Sequence, residues 1–280
     1  MSVDTSTMRA VLPAGTPCWV ELSTTDEAAA QHFYGGLFDW DFHVKNDPST
    51  VNRRYTIATL GGAEAAGLRT ADNDSQVGWA IHLAVNNTES TAEWVEHLGG
   101  WATLGPIEIP DRGTVLHATD PSGVHVVFWE PVETWEFASG VPGTFAGADL
   151  YTHDATNSDR FFCRPFNLTS QQIGLGAIDY AEWRLDGTPV VYRYVMGSDY
   201  RSSTPAHWLV HFTVNPARGV DAAAGQAIML GGTVVIEPYD TPFGRIAVLA
   251  DPSGSVFAVI DHSQAIEGWQ RAEVEDPYDD

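Results

Sequence analysis

The feature that most constrains the fold is an internal duplication. The stretch WAIHLAVN, which starts at Trp79, returns in very similar form as WLVHFTVN, which starts at Trp208. The stretches DPSGVHVVFWEP from Asp120 and DPSGSVFAVIDH from Asp251 repeat at nearly the same spacing of about 130 residues. A chain of 280 residues with such a repeat is expected to form two homologous domains.

Each half divides again into two modules with the order β-α-β-β-β. In the first module, alternating apolar residues predict a strand at 17–23, and a helix follows with Thr25 or Asp26 as its N-cap. Three short strand candidates come next, at 39–45, 52–60 and 63–69. The order then recurs three times, with Thr88 as the predicted cap of the second helix.

A single module would leave one apolar face of its sheet uncovered, so the modules are expected to work in pairs. The predicted fold class is α+β, with four β-α-β-β-β modules in two tandem domains. Each domain has a curled mixed sheet around a cavity and its helices outside. The predicted ranges are 1–138 for the first domain (modules at about 17–70 and 79–131), 145–270 for the second (modules at about 145–196 and 207–262), and 271–280 for an acidic tail.

The charge balance narrows the class of partner. The chain has 37 Asp and Glu against 14 Lys and Arg, a net charge of −23. Such a surface repels phosphate backbones and anionic lipid, so neither nucleic acid nor a membrane is an expected partner. With no apolar run long enough to span a bilayer, the predicted location is cytoplasmic and the predicted partner is a small molecule. A monomer with pseudo-dimeric domains and a homodimer both fit.

The order and repetition of these motifs resemble the vicinal oxygen chelate superfamily, which includes glyoxalases, bleomycin-resistance proteins and extradiol dioxygenases. The resemblance rests on WVELSTTDEAAAQHFYGGLFDW at 19–40, GWAIHLAVNN at 78–87, the Leu98-Gly99-Gly100 helix end, and the two DPSG turns. The opening segment is similar to that of two-domain members common in actinomycetes. The pattern covers nearly the whole chain.

The resemblance also implies where a divalent metal would bind in metal-dependent members. Their ligands are a His early on the first strand of each module and a Glu on the last strand. The corresponding positions here hold Trp19, Gly147, Ala80, Leu209, Val127 and Ala258, and Glu64 stands alone near the remaining position. The first six side chains offer no lone pair to a hard cation, so no metal and no cofactor are expected.

Polar side chains near these positions are the candidates for chemistry. Residues two apart on a strand share a face, so Glu21 and His82 are predicted to meet in the first cavity, and Asp149 and His211 in the second. A carboxylate beside an imidazole can poise it for proton transfer. The same pair can also be structural and fix the meeting of two modules. Both interpretations stay open.

Aromatic side chains are the candidates for ligand binding, because walls of Trp and Tyr suit a planar molecule. The predicted ligand-binding residues are Trp19, Tyr55, Trp79, His125 and Trp129 in the first domain, and Tyr151, Trp183, Tyr192, Tyr194 and Trp208 in the second. Further candidates for the cavity walls are His117, His153 and Tyr180.

Together these features predict a glyoxalase-like protein that binds a small aromatic or polyfunctional molecule without the family metal site. The sequence leaves open whether it is an enzyme. The first hypothesis is metal-free acid–base chemistry of an isomerase, lyase or cyclase type in secondary metabolism. One alternative is a non-catalytic protein that binds an antibiotic or metabolite. The other is a metal-dependent lyase or dioxygenase with displaced ligands.

Overall fold

The computed structural model describes residues 12–50, 52–71, 77–132 and 135–266. The first sheet contains β1 (Pro17–Thr24), β2 (Asp41–Asn46), β3 (Arg54–Leu60), β4 (Ala63–Thr70), β5 (Gly78–Ala84), β6 (Trp101–Ile109), β7 (Gly113–Thr119) and β8 (His125–Pro131). The second contains β9 (Phe145–Thr152), β10 (Thr169–Gln172), β11 (Tyr180–Leu185), β12 (Thr188–Val195), β13 (His207–Thr213), β14 (Thr233–Thr241), β15 (Gly244–Ala250) and β16 (Val256–Asp261). The α-helices in these ranges are α1 (Glu27–Phe38), α2 (Thr88–His97), α3 (Ala155–Cys163) and α4 (Val220–Met229).

The two sheets have the same strand order. It is β2-β3-β4-β1-β5-β8-β7-β6 in the first and β10-β11-β12-β9-β13-β16-β15-β14 in the second. In each sheet the opening strands of two modules pair antiparallel at the centre, β1 with β5 and β9 with β13. The predicted α+β class with four paired modules is therefore confirmed.

The helices begin where short polar side chains can satisfy free backbone N–H groups. The Asp26 carboxylate caps α1 by accepting the N–H of Ala29 at 2.9 Å. For α2 the predicted cap is wrong by one residue. Asn87 has the extended backbone of an N-cap and accepts the N–H of Ser90 at 2.7 Å, which makes Thr88 the first helical residue.

The helices lie on the convex side of each sheet, outside the cavity, and there the two halves share one apolar core. Trp79 of β5 packs against Phe212 of β13, with ring centroids 5.0 Å apart. Phe161 of α3 packs against Trp94 of α2 at 5.4 Å. One continuous cluster of buried side chains therefore joins both sheets and their helices.

Two glycines admit aromatic rings from the opposite half of the chain. A β-carbon at Gly100 would lie 2.6 Å from the ring of Phe161, and one at Gly232 would lie 2.6 Å from the ring of Phe33. Neither distance is tolerated by real β-carbons, so each glycine is required by the close approach of a ring. The two insertions are reciprocal, as the duplication requires.

No helix within the described ranges is long and apolar enough to cross a membrane. The predicted acidic tail at 271–280 lies outside the described residues.

Candidate functional site

Strand register identifies equivalent positions on the two concave faces. Trp19 of β1 lies opposite His82 of β5 in the first sheet. In the second sheet, Gly147 of β9 lies opposite His211 of β13. Gly147 therefore takes the place of Trp19, and the absence of a side chain there leaves more space on the second sheet.

Aromatic rings fill the first concavity. Trp19 is fully buried, and its ring centroid lies 6.3 Å from that of Trp129 and 5.2 Å from that of Trp135. The Trp19 indole N–H donates to the Tyr55 hydroxyl at 2.8 Å. Three of the predicted ligand-binding residues, Trp19, Tyr55 and Trp129, thus pack against one another within this core, where Trp135 adds a fourth ring.

A buried polar cluster lies beside these rings. The Arg69 guanidinium donates to the Glu21 carboxylate at 2.6 Å, and His82 Nε2 lies 3.7 Å from the other Glu21 oxygen. His117 Nδ1 lies 3.2 Å from His125 Nε2. Burial opposes ionisation of Glu21, but the charge of the Arg69 guanidinium favours it, and the Glu21 pKa is lowered to about 2.

The three histidines of this cluster are neutral. Burial lowers the pKa of His82 to about 3, of His117 to about 4 and of His125 to about 3, and the Glu21 carboxylate offsets this only in part. Neither ring nitrogen of His82 has a hydrogen-bond partner among the described residues. The first cluster therefore brings Glu21 and His82 together as predicted, in a buried setting packed against the aromatic rings of this core.

The second concavity is open. It encloses about 320 Å³ and is lined by Asp149, Tyr151, Tyr180, Tyr192, Tyr194, His211, Tyr239, Phe243 and His262, with smaller apolar side chains between them. A β-carbon added at Gly147 would meet nothing within 4 Å. Ile260 occupies the position that Trp129 holds in the first sheet. Space appears here because two indoles are replaced by a glycine and an isoleucine.

The predicted acid–histidine pair lies in this cavity. His211 Nε2 is 3.3 Å from Asp149 Oδ2, and both residues are buried. The Tyr180 hydroxyl donates to Asp149, 3.4 Å from each carboxylate oxygen. His211 Nε2 is not aligned for a hydrogen bond with any described protein atom. The imidazole is therefore held beside a carboxylate at ion-pair distance, on the wall of the cavity.

The tyrosines form the walls. Tyr151 and Tyr194 pack with ring centroids 4.9 Å apart, and Tyr180 and Tyr192 stack at 5.8 Å. Burial, reinforced by Asp149, raises the pKa of Tyr180 well above its usual value. Burial also raises the pKa of the other four, Tyr151, Tyr192, Tyr194 and Tyr239. The five hydroxyls therefore stay protonated and can donate hydrogen bonds.

Four predicted cavity residues lie elsewhere. Trp79, Trp183 and Trp208 are buried in the core between the sheets, so their predicted placement in a cavity is wrong. Trp79 comes directly before Ala80, and adjacent residues on a strand point to opposite faces. Trp208 donates to the His125 carbonyl of the other half at 2.9 Å, and His153 is exposed with its ring nitrogen 2.9 Å from the Thr204 carbonyl.

Five residues of the two concavities are not predicted from the sequence pattern. Tyr239, Phe243 and His262 line the second, while Arg112 and Trp135 fill the first. Arg112 and Phe243 directly precede the glycines that open β7 and β15, so aligning the two halves would have found them.

The second cavity does not fit the divalent metal that metal-dependent relatives bind. Gly147, Leu209 and Ala258 occupy the positions implied for ligands, and none carries a donor atom in its side chain. Within the described ranges, no group of three or more His, Cys, Asp or Glu side chains could hold a metal ion.

Comparison with known proteins agrees with this architecture. The chain is 30% identical over 267 residues to the anthracycline biosynthesis protein DauV of Streptomyces sp. (strain C5), covering 90% of this chain and 94% of that protein. It is also 30% identical over 261 residues to CFP32 of Mycobacterium bovis, whose name proposes a glyoxylase, covering 88% and 94%. The Mn(II)-bound glyoxalase of Novosphingobium aromaticivorans superposes with a TM-score of 0.66 at 15% identity, covering 92% of this chain and 85% of that one. No family model matches the chain.

Two sheets of paired β-α-β-β-β modules, each curled around a concavity, define a two-domain glyoxalase-like protein. The chain belongs to the vicinal oxygen chelate superfamily, and its relatives include a protein of anthracycline biosynthesis. The likeness to the glyoxalase structure establishes the fold and says nothing about the reaction.

Proposed function

We propose that the chain binds a planar aromatic molecule in the cavity of the second sheet and moves a proton on it with His211. The observation that carries the proposal is a cavity of about 320 Å³ whose walls are tyrosines and whose polar centre is the His211–Asp149 pair. This volume lies within the range of small-molecule sites. The rings offer stacking surfaces, and the hydroxyls offer hydrogen-bond donors.

The relative DauV supports an aromatic ligand. Its name places it in anthracycline biosynthesis, and anthracyclines are fused-ring aromatic compounds bearing hydroxyl and carbonyl oxygens. A flat, oxygenated ring system of this kind matches walls that combine tyrosine faces with tyrosine hydroxyls. The cytoplasmic location, and the choice between a pseudo-dimeric monomer and a homodimer, stay predictions.

In the proposed chemistry His211 acts as a general base. It takes a proton from an acidic C–H or O–H group of the ligand, and Asp149 stabilises the imidazolium that forms. Tyrosine hydroxyls donate hydrogen bonds to the oxygen on which negative charge develops. Return of the proton to another atom gives an isomerisation. Attack of the carbanion on a carbonyl carbon of the same ligand, with return of the proton to the alkoxide formed, gives a cyclisation. Expulsion of a leaving group from the adjacent carbon, with the proton given to that group, gives a lyase reaction.

The Gly147→Trp substitution tests the location of the site. An indole at Gly147 would enter the open space, as Trp19 does in the first sheet, and binding of 1,8-dihydroxyanthraquinone is expected to weaken at least about tenfold. Isothermal titration calorimetry measures the change. The matched control is Gly225→Trp, which adds the same side chain at an exposed position of α4 with open space around it. Equal binding by both variants would place the aromatic site outside this cavity.

The His211→Ala substitution tests the acid–base step. The probe is 2-acetyl-1-naphthol, whose methyl protons next to the carbonyl exchange with solvent deuterium when a base removes them. Wild-type protein is expected to speed this exchange, and His211→Ala to reduce that rate about 100-fold with little change in the dissociation constant. Exchange is followed by NMR in D2O. An unchanged rate in the variant would refute the catalytic role and leave the binding proposal standing.

A further inference from the structure

The two concavities differ in the cationic side chains that they contain as well as in their volume. In the first, Glu21 is neutralised by the Arg69 guanidinium at 2.6 Å. Register along the parallel pairs β1–β4 and β9–β12 makes Tyr194 the equivalent of Arg69, and Asp149 the equivalent of Glu21. The carboxylate is thus kept in both halves, but its arginine is replaced by a tyrosine in the second.

The first concavity also contains a second cation within its aromatic rings. The Arg112 guanidinium is buried, with its central carbon 4.6 Å from the ring centroid of Trp135 and 5.4 Å from those of Trp19 and Trp129. This arrangement is an aromatic cage occupied by a cation of the chain itself. The equivalent position in the second half, directly before β15, holds Phe243.

The second concavity therefore keeps the acid and the aromatic rings and lacks both arginines. Among the described residues that line it there is no lysine and no arginine. The described partners of the buried Asp149 carboxylate are the Tyr180 hydroxyl and His211. A buried carboxylate without a permanent counter-charge, walled by electron-rich ring faces, favours a cation and disfavours an anion.

We propose that the second cavity recognises an organic cation, an amine that is protonated at neutral pH and carried on the aromatic ligand. The ammonium group lies against tyrosine faces and pairs with Asp149, in the role that Arg69 and Arg112 fill in the first half. Carboxylates and phosphates are disfavoured, because no lysine or arginine lines the described cavity to pair with them. The net charge of −23 raises the local concentration of cations around the protein. This inference rests on the proposed aromatic site and names the charge of its ligand.

A matched set of probes tests the charge preference on the full chain. Calorimetry at pH 7 compares 2-naphthylmethylammonium with the neutral 2-naphthylmethanol and the anionic 2-naphthoate, at concentrations up to the millimolar range. The ammonium probe is expected to bind at least about tenfold more tightly than the alcohol, and the carboxylate more weakly than either. The preference for the cation is expected to disappear in Asp149→Asn. Asp186→Asn is the control, because it removes the same charge from an exposed turn whose left-handed backbone suits asparagine.

A second variant tests the proposal without removing the buried acid. Tyr194→Arg installs the arginine of the first half and is expected to abolish the advantage of the ammonium probe, whereas Tyr194→Phe keeps the ring and the advantage. If the alcohol binds as tightly as the ammonium and Gly147→Trp weakens both, the charge inference is overturned and the aromatic site stands. If no probe binds, or if Gly147→Trp leaves their binding unchanged, both proposals are overturned.

Discussion

Lowering the pH from 6.5 to 4 is expected to remove much of the stability of this protein. His82 and His117 are buried and His125 is half-buried, and their pKa values are lowered to between about 3 and 4, against a usual value of 6.5. Below pH 6.5 the unfolded chain therefore takes up these protons before the folded chain does. The stability is fully present above 6.5 and is lost as the pH falls toward the folded pKa values.

The expected slope is large because three protons are involved. Each proton taken up only by the unfolded chain lowers the free energy of unfolding by about 1.4 kcal/mol per pH unit, so three give about 4 kcal/mol per unit at most. Glu21 adds to the loss at lower pH. Its pKa is lowered to about 2 from 4.5, so its contribution is present above 4.5 and disappears as the pH approaches 2. Urea denaturation at pH 7, 6 and 5 measures the slope.

The residues at equivalent positions of the second half indicate which substitutions can test this prediction. Register places Val248 and Val256 where the first half has His117 and His125. The double substitution His117→Val with His125→Val is therefore compatible with the fold and should lower the slope by about 3 kcal/mol per pH unit, the share of two protons. The control, His43→Val, changes an exposed histidine of β2. A double variant with the wild-type slope would show that the buried cluster does not govern the response to acid.

Strand periodicity was sufficient to predict the pairs at the centre of each concavity. Glu21 with His82, and Asp149 with His211, follow from counting in twos along strands whose modules are paired. The same counting predicts that Ala80 faces the concavity. Trp79 is its neighbour on the strand and therefore faces the convex side. An aromatic residue alone does not indicate a cavity, because the shared core between the sheets also needs large rings, and the three buried tryptophans belong to that core.

Which concavity is open could not be predicted from periodicity. The sequence shows Trp19 and Gly147 at equivalent positions, but volume depends on every ring that enters the space. Trp135 comes from the segment after β8, where no strand or helix pattern fixes its direction, and it packs on Trp129 with centroids 4.3 Å apart. The placement of Arg112 within the same rings is likewise a tertiary contact between residues distant in sequence.

Replacing Phe161 with alanine is expected to destabilise both halves of the chain together. Phe161 is fully buried on α3 and reaches across to Gly100 and to Trp94 of α2 in the first half. Its removal leaves a cavity at the contact between the halves, and such changes destabilise proteins by about 3–5 kcal/mol. Because one core joins both sheets, urea unfolding should remain a single transition that moves to lower urea concentration.

The control removes the same ring from a position within one half. Phe42→Ala removes a half-buried ring of the otherwise exposed edge strand β2, and the smaller buried area predicts a loss of about 1–2 kcal/mol. Far-UV circular dichroism and tryptophan fluorescence should give coincident curves for both variants, since ten tryptophans report on both halves. Two separated transitions in Phe161→Ala would instead mean that each half is stable alone. The open cavity of the second half would then not depend on the filled first half for its support.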